Sequence, residues 1–118
     1  MDYQLLFHLA IGPLIFLIAW ITKQYPPKKI NHTYGYRTPR SMKNQETWDF
    51  ANQHSTETMF KMSVYTMIFQ AVSILVLDAK ASILASAAVM VITLIGGVII
   101  TERALRANFD KEGNRIKG

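Results

Sequence analysis

Three runs of about 20 residues with almost no charge constrain this chain more than any other feature. Residues 3–22 carry no charged side chain, residues 58–77 carry only Lys61, and residues 81–101 carry none. At a rise of 1.5 Å per residue, each run matches the roughly 30 Å hydrocarbon core of a bilayer. A soluble three-helix bundle would need a polar stripe along every helix. The stretch ILASAAVMVITLIGGVII offers only Ser and Thr, which can bond their own helix backbone. The pattern predicts an all-α integral membrane protein with three transmembrane helices in one membrane domain. Mean hydropathy is +0.13 even though 13 basic and 8 acidic residues are present among 118, so charge is segregated along the chain. The first run lacks the basic start and small-residue cleavage site of a signal peptide and is expected to stay in the mature chain.

The segregation also predicts orientation. Lys23, Lys28, Lys29, Arg37, Arg40 and Lys43 lie between spans one and two; Arg103, Arg106, Lys111, Arg115 and Lys117 follow span three. The opposite side has only Asp2, Asp78 and Lys80. The positive-inside rule then puts the N-terminus outside, with the loop and helix of residues 23–57 and the tail of residues 102–118 in the cytoplasm. The net charge of +5 is accounted for by this arrangement, and no nucleic-acid partner is expected. Trp20 and Tyr25 suit the interface as aromatic anchors. Gly12-Pro13 should loosen span one, most simply as a tolerated packing kink. Asp78-Ala79-Lys80 is all that separates spans two and three, and a single helix over both would be about 66 Å long. The chain must therefore reverse there as a tight hairpin. Ala81, Ala85, Ser82, Ser86, Gly96 and Gly97 form small-residue positions that would let span two, span one or a second protomer approach closely.

The loop between spans one and two is richer than a connector needs. Pro26 and Pro27 give a stiff exit, Asn31 and Gly35 suit special backbone angles, and Thr38-Pro39 can supply an N-cap and first helical residue, with Ser41 as the alternative cap and Asn44 at its third position. A helix is thus expected from near residue 40, with no Gly or Pro to stop it before Leu77. Trp48, Ala51, Ser55, Met59 and Met62 share one face; Glu46, Asp49, Asn52 or Gln53, and Glu57 occupy others. This helix either continues into span two or bends at the interface.

Candidate chemistry clusters on that side: Arg37 and Arg40 about Thr38-Pro39, then Asn44, Trp48 and Asn52, then His54, Glu57 and Lys61, with Glu102 and Arg103 closing span three. Glu57 and Lys61 have the spacing of a helical ion pair. Arg37 with Arg40 beside a helix start could hold a lipid phosphate or a carboxylate. His54-x-x-Glu57 with His32 lacks a second such motif, and the absence of cysteine removes thiolate ligands, so neither a metal nor another cofactor is expected. His8 and Gln4 are placed to bond a neighbouring helix. No nucleophile triad, glycine-rich phosphate loop or paired intramembrane carboxylates occur, which leaves no support for catalysis.

INHTYGYRTPRSMKNQETWDFAN resembles the signature of the SdpI/YfhL family of small bacterial membrane proteins, a G-x-R-T-P stretch followed by a Trp and then an Asn on the next helix. The matching residues are Gly35, Arg37, Thr38, Pro39, Ser41, Trp48 and Asn52. The resemblance implies membrane helices and, from the family's namesake, immunity to a secreted antimicrobial peptide together with capture of a transcriptional repressor at the membrane. It covers the three-span signature region and not the namesake's additional spans. The expected function is protection of the bacterial plasma membrane against a peptide toxin through a polar site at the cytoplasmic motif, with lipids as neighbours and a homo-oligomer as a further possibility. The alternative is a small oligomeric transporter or channel for a solute or proton, testable by flux in liposomes and its loss on neutralising Glu57 or Lys61.

Overall fold

A computed structural model describes residues 3–116, so Asp2 and Lys117 lie outside the described residues. Three helices account for most of the described residues: α1 (Tyr3–Gln24), α2 (Gln45–Val76) and α3 (Ala79–Asn108). Each is long and apolar enough to cross a membrane. They form an elongated antiparallel bundle, 51 × 26 × 18 Å. One end carries the α1–α2 loop and the C-terminal segment; it is called the motif end below. The other carries the start of α1 and the α2–α3 turn, the hairpin end.

α1 runs through Pro13 without a break. A Cβ added to Gly12 would collide with Gln70 Oε1 and stand 2.9 Å from Met67 Cγ, so this glycine lets α1 and α2 approach closely. The α2–α3 reversal is shorter than expected. Leu77 caps α2, and Asp78 caps α3 by accepting from the Ala81 N–H at 2.8 Å, leaving only these two residues between the helices.

α2 is a single uninterrupted helix of 32 residues, about 48 Å long, so the helix that begins in the loop continues into span two without a break. It does not start near residue 40. Thr38 and Ser41 bond one another: the Thr38 N–H donates to Ser41 Oγ at 2.8 Å and the Ser41 N–H to Thr38 Oγ1 at 3.2 Å. That closes an isolated turn. The true N-cap is Asn44, whose Oδ1 accepts from the Thr47 N–H at 2.9 Å while Thr47 Oγ1 accepts from the Asn44 N–H at 3.1 Å. This is a capping box with Thr in the place usually taken by Glu or Gln, a variant easily overlooked in sequence.

Small residues of α3 meet both other helices: the Ser82 hydroxyl lies 2.7 Å from Ser73 Oγ of α2 and 3.3 Å from His8 Nε2 of α1. Ser86, Gly97 and Thr101 are likewise buried. Gly97 lies against Met59, with an added Cβ only 3.0 Å from its sulfur, whereas Gly96 points to open space. Beyond Thr101 the chain is not a loose tail. α3 continues to Asn108, and residues 109–115 turn back, with an isolated antiparallel bridge between Phe109 and Arg115. This turn leans on the start of α2: Asn44 Nδ2 donates to the Gly113 carbonyl at 2.8 Å, and Arg115 pairs with Glu46 at 2.6 Å.

Candidate functional site

The motif end is built around two residues of α2, one turn apart. Trp48 is fully buried, and its indole N–H donates to the Pro27 carbonyl at 2.8 Å. The stiff Pro26-Pro27 exit is thereby tied to α2. Gln45 adds a second tie, donating to the Lys28 carbonyl at 2.6 Å. Asn52 then holds the motif loop as a neighbouring strand would. Its Oδ1 accepts from the Tyr36 N–H at 2.6 Å, and its Nδ2 donates to the Tyr36 carbonyl at 3.4 Å and to the Trp48 carbonyl at 3.0 Å. Asn52 thus belongs to the buried face, not to the polar face the periodicity suggested.

Gly35 is what lets the loop come this close. Its φ is +110°, and a Cβ there would stand 2.7 Å from both Asn52 Oδ1 and Pro27 Cγ. A side chain at this position would be strained in backbone and in space. Upstream, Asn31 organises the approach, accepting from the Thr33 and Tyr34 N–H groups at 2.9 and 2.7 Å. Downstream, Ser41 is fully buried, and its hydroxyl lies 3.0 Å from the Tyr36 and Thr38 carbonyls.

Tyr36 carries the motif across to α3. Its hydroxyl donates to Glu102 Oε1 at 2.7 Å. Burial, then the hydrogen bond and negative charge of Glu102, push the phenol well above its ordinary range, so it remains a neutral donor. Under this linkage sits an apolar core of Ala51, Leu105 and Phe109, with Phe50 packed against it and meeting Phe109 edge-on at 5.4 Å between ring centres. Tyr36, Leu105 and Phe109 were not singled out from sequence, and Pro27 was read only as part of a stiff exit. The only available signals were an aromatic inside the motif and an apolar pair one turn apart after span three.

The predicted site residues therefore divide. Gly35, Thr38, Ser41, Asn44, Trp48, Asn52 and Glu102 come together in one junction, while Asn31 orders only the loop that leads to it. Arg37 and Pro39 are exposed, with the Arg37 guanidinium turned onto the His32 carbonyl; Arg40 is half-buried. Neither arginine sits at a free helix start, because the first turn of α2 lies beyond them and is capped by Asn44. His54 stacks on Phe50 with 6.0 Å between ring centres, and its buried Nδ1 has no hydrogen-bond partner. Glu57 and Lys61 are both exposed and not paired: among the described residues the ion pair within 4.0 Å is Arg115–Glu46. At this exposed position, a helical pair gains too little to hold two long side chains together. Among the described residues no cluster of three His, Asp or Glu side chains is arranged to hold a metal ion.

A cleft of about 390 Å³ opens beneath the motif loop, within the size range of ligand pockets. Ile15, Ile18 and Ala19 of α1 and Leu94, Gly97 and Val98 of α3 form its apolar sides. Gly35 and Tyr36 roof it, and Asn52, Ser55 and Met59 of α2 line its floor. The residues of the signature thus form part of the wall of this cleft.

A family model described as the SdpI/YfhL protein family matches residues 28–101, from the loop through the end of span three. The chain belongs to the SdpI/YfhL family. It is also 46% identical over 48 residues to the uncharacterized protein YfhL of Bacillus subtilis (strain 168), a match covering 41% of this chain and 44% of that relative. The chain thus spans less than half the length of the curated relative it matches. No solved structure matches it. For this SdpI/YfhL member, the geometry gives the signature a definite physical meaning: Gly35 permits the close approach, Asn52 and Trp48 hold the loop, and Thr38 with Ser41 closes its turn.

Proposed function

We propose that this SdpI/YfhL protein sits in the bacterial plasma membrane, N-terminus outside and C-terminus inside, and protects the bilayer by binding a membrane-active peptide rather than by catalysis. The observation that carries the reading is the 390 Å³ cleft, apolar along α1 and α3 and bounded by signature residues Gly35 and Asn52 and by Tyr36. An amphipathic segment can place its apolar side chains between the spans while its backbone meets the polar Asn52 and Ser55. Family membership supports immunity as the biological role, and the rigid junction above the cleft supplies the preorganisation that binding requires.

The test compares a deletion strain with one carrying the gene under challenge by membrane-active peptides. Deletion is expected to raise sensitivity. Val98→Trp, which adds bulk at an exposed wall position, is expected to lose protection while inserting normally. Unchanged sensitivity on deletion would sink the proposal.

The competing reading, an oligomeric transporter, draws on a polar seam inside the membrane. Gln70 Nε2 donates to His8 Nδ1 at 3.1 Å and to the His8 carbonyl at 3.0 Å, and Ser73 and Ser82 hydroxyls lie 2.7 Å apart. Flux through protein-containing liposomes, abolished by Gln70→Leu, would favour it.

A further inference from the structure

A second cleft, of about 340 Å³, lies beside the first and holds charge. Lys23 at the end of α1 and Lys28 after Pro27 line it on one side; Asp49 and Glu57, two turns apart on α2, line it on the other. Two cations and two anions in one cleft would ordinarily neutralise one another. Here all four side chains are exposed, and none makes an ion pair within 4.0 Å. Asp49 accepts from Gln45 at 2.7 Å, and Lys23 rests its ammonium 4.6 Å from the centre of the Phe60 ring. Both contacts leave the charges available.

The depth of the cleft narrows what can fill it. Lys23 is the first charge after the uncharged run of residues 3–22, and Glu57 is the last acidic residue before the run of residues 58–77. Lys23 and Glu57 are thus at headgroup level, with Lys28 and Asp49 on the water side of them, where a bilayer offers phosphates and, in some lipids, ammonium groups. Towards the membrane, Phe60 packs on Phe16 at 5.1 Å between ring centres, giving acyl chains an aromatic flank along α1 and α2.

We propose that this cleft is a binding site for a phospholipid with a phosphoethanolamine headgroup. The phosphate lies between Lys23 and Lys28, and the primary ammonium donates to Asp49 and Glu57. An anionic phosphoglycerol lipid supplies the phosphate alone and faces two unmatched carboxylates. A phosphocholine lipid has the charge pattern but no N–H donors for charge-assisted hydrogen bonds. The site adjoins the peptide cleft, sharing Thr22, Asn52 and Thr56 with it, but its four charged residues line only the second cleft and it does not depend on the function proposed for the first.

The test is lipid retention by the purified full chain, read by native mass spectrometry from mixed micelles with phosphatidylethanolamine, phosphatidylcholine and phosphatidylglycerol at equal mole fraction. Retention of phosphatidylethanolamine is expected to exceed each of the others roughly three- to tenfold, the range for a few partly exposed charge contacts. The Asp49→Asn/Glu57→Gln variant should lose the preference over phosphatidylglycerol while still retaining that lipid. Lys23→Gln/Lys28→Gln should reduce retention of all three. Equal retention of phosphatidylethanolamine and either other lipid by the unaltered protein overturns the proposal. So does a preference that survives removal of both carboxylates in a variant whose helical circular dichroism matches the unaltered chain.

Discussion

The two ends of the bundle have different kinds of interior. At the motif end, Trp48, Ala51, Leu105 and Phe109 are buried beside the hydrogen-bonded Ser41, Thr47 and Asn52, as in a small water-soluble domain. Towards the hairpin end the buried side chains are Ser63, Thr66, Gln70, Ser73, Ser82 and Ser86, while Leu75, Val76, Leu84 and Ile92 face outward. The difference follows from the solvent. Where water surrounds the chain, removing apolar surface from it drives packing. Where lipid surrounds it, apolar burial gains little, and close approach with hydrogen bonds across helices takes over. One continuous helix, α2, passes from the first regime to the second.

Mutations can break each end by its own mechanism. Trp48→Ala should have the largest effect. It empties a fully buried site and frees the Pro27 carbonyl, costing about 3–5 kcal/mol. Thermal unfolding in detergent should show the loss, with proteolysis of the loop accelerating before the spans unfold.

Gly12→Ala should come next and should act only in the membrane part. The added methyl meets Gln70 Oε1, so a cost of about 1–3 kcal/mol is expected. Adding Gln70→Ala should recover part of it, a coupling that a double-mutant cycle in thermal stability would reveal. Additive losses would show that the Gly12–Gln70 contact does not set the α1–α2 approach.

The Tyr36–Glu102 link sharpens the contrast, because it is a hydrogen bond that joins the motif loop to α3 above an apolar core. The folded phenol has a raised pKa, so its stabilisation is fully present below the unfolded value of about 10 and is lost as pH rises further. Tyr36→Phe should cost about 1 kcal/mol near neutral pH. It should also flatten the alkaline decline in stability, measured by denaturation between pH 8 and pH 11 at roughly constant ionic strength. An unchanged alkaline slope would remove Tyr36 from the account.

The smallest effect belongs to the ion pair that ties the C-terminal turn to α2. Arg115 and Glu46 are 52% and 55% exposed, so Glu46→Gln should cost below about 1 kcal/mol. That loss should vanish in high salt, seen as merging unfolding temperatures for the two proteins.

Several features of the candidate site were legible in the sequence because they are local. Gly35 was marked for an unusual backbone angle and has one; His8 was expected to bond a neighbouring helix and does so through Gln70. The α2 start was misread because Thr38, Ser41 and Asn44 are all competent caps, and the choice depends on which partner each finds. Thr38 and Ser41 find one another, while Asn44 finds Thr47 and the Gly113 carbonyl, 69 residues away. Glu57 and Lys61 had the right spacing but stay apart, since spacing permits a surface pair without making it worthwhile.

The sequence by itself determined that the chain has three spans and a tight reversal after the second. These follow from hydropathy over about 20 residues and from the length of a helix, both of which act locally. Only the tertiary structure decided that Pro27 seats on Trp48, that Asn52 holds the Tyr36 backbone, that Glu102 closes the motif from α3 and that the C-terminal turn accepts from Asn44, the cap of α2. Those contacts join residues between 16 and 69 positions apart, and no local pattern encodes which distant donor meets which acceptor.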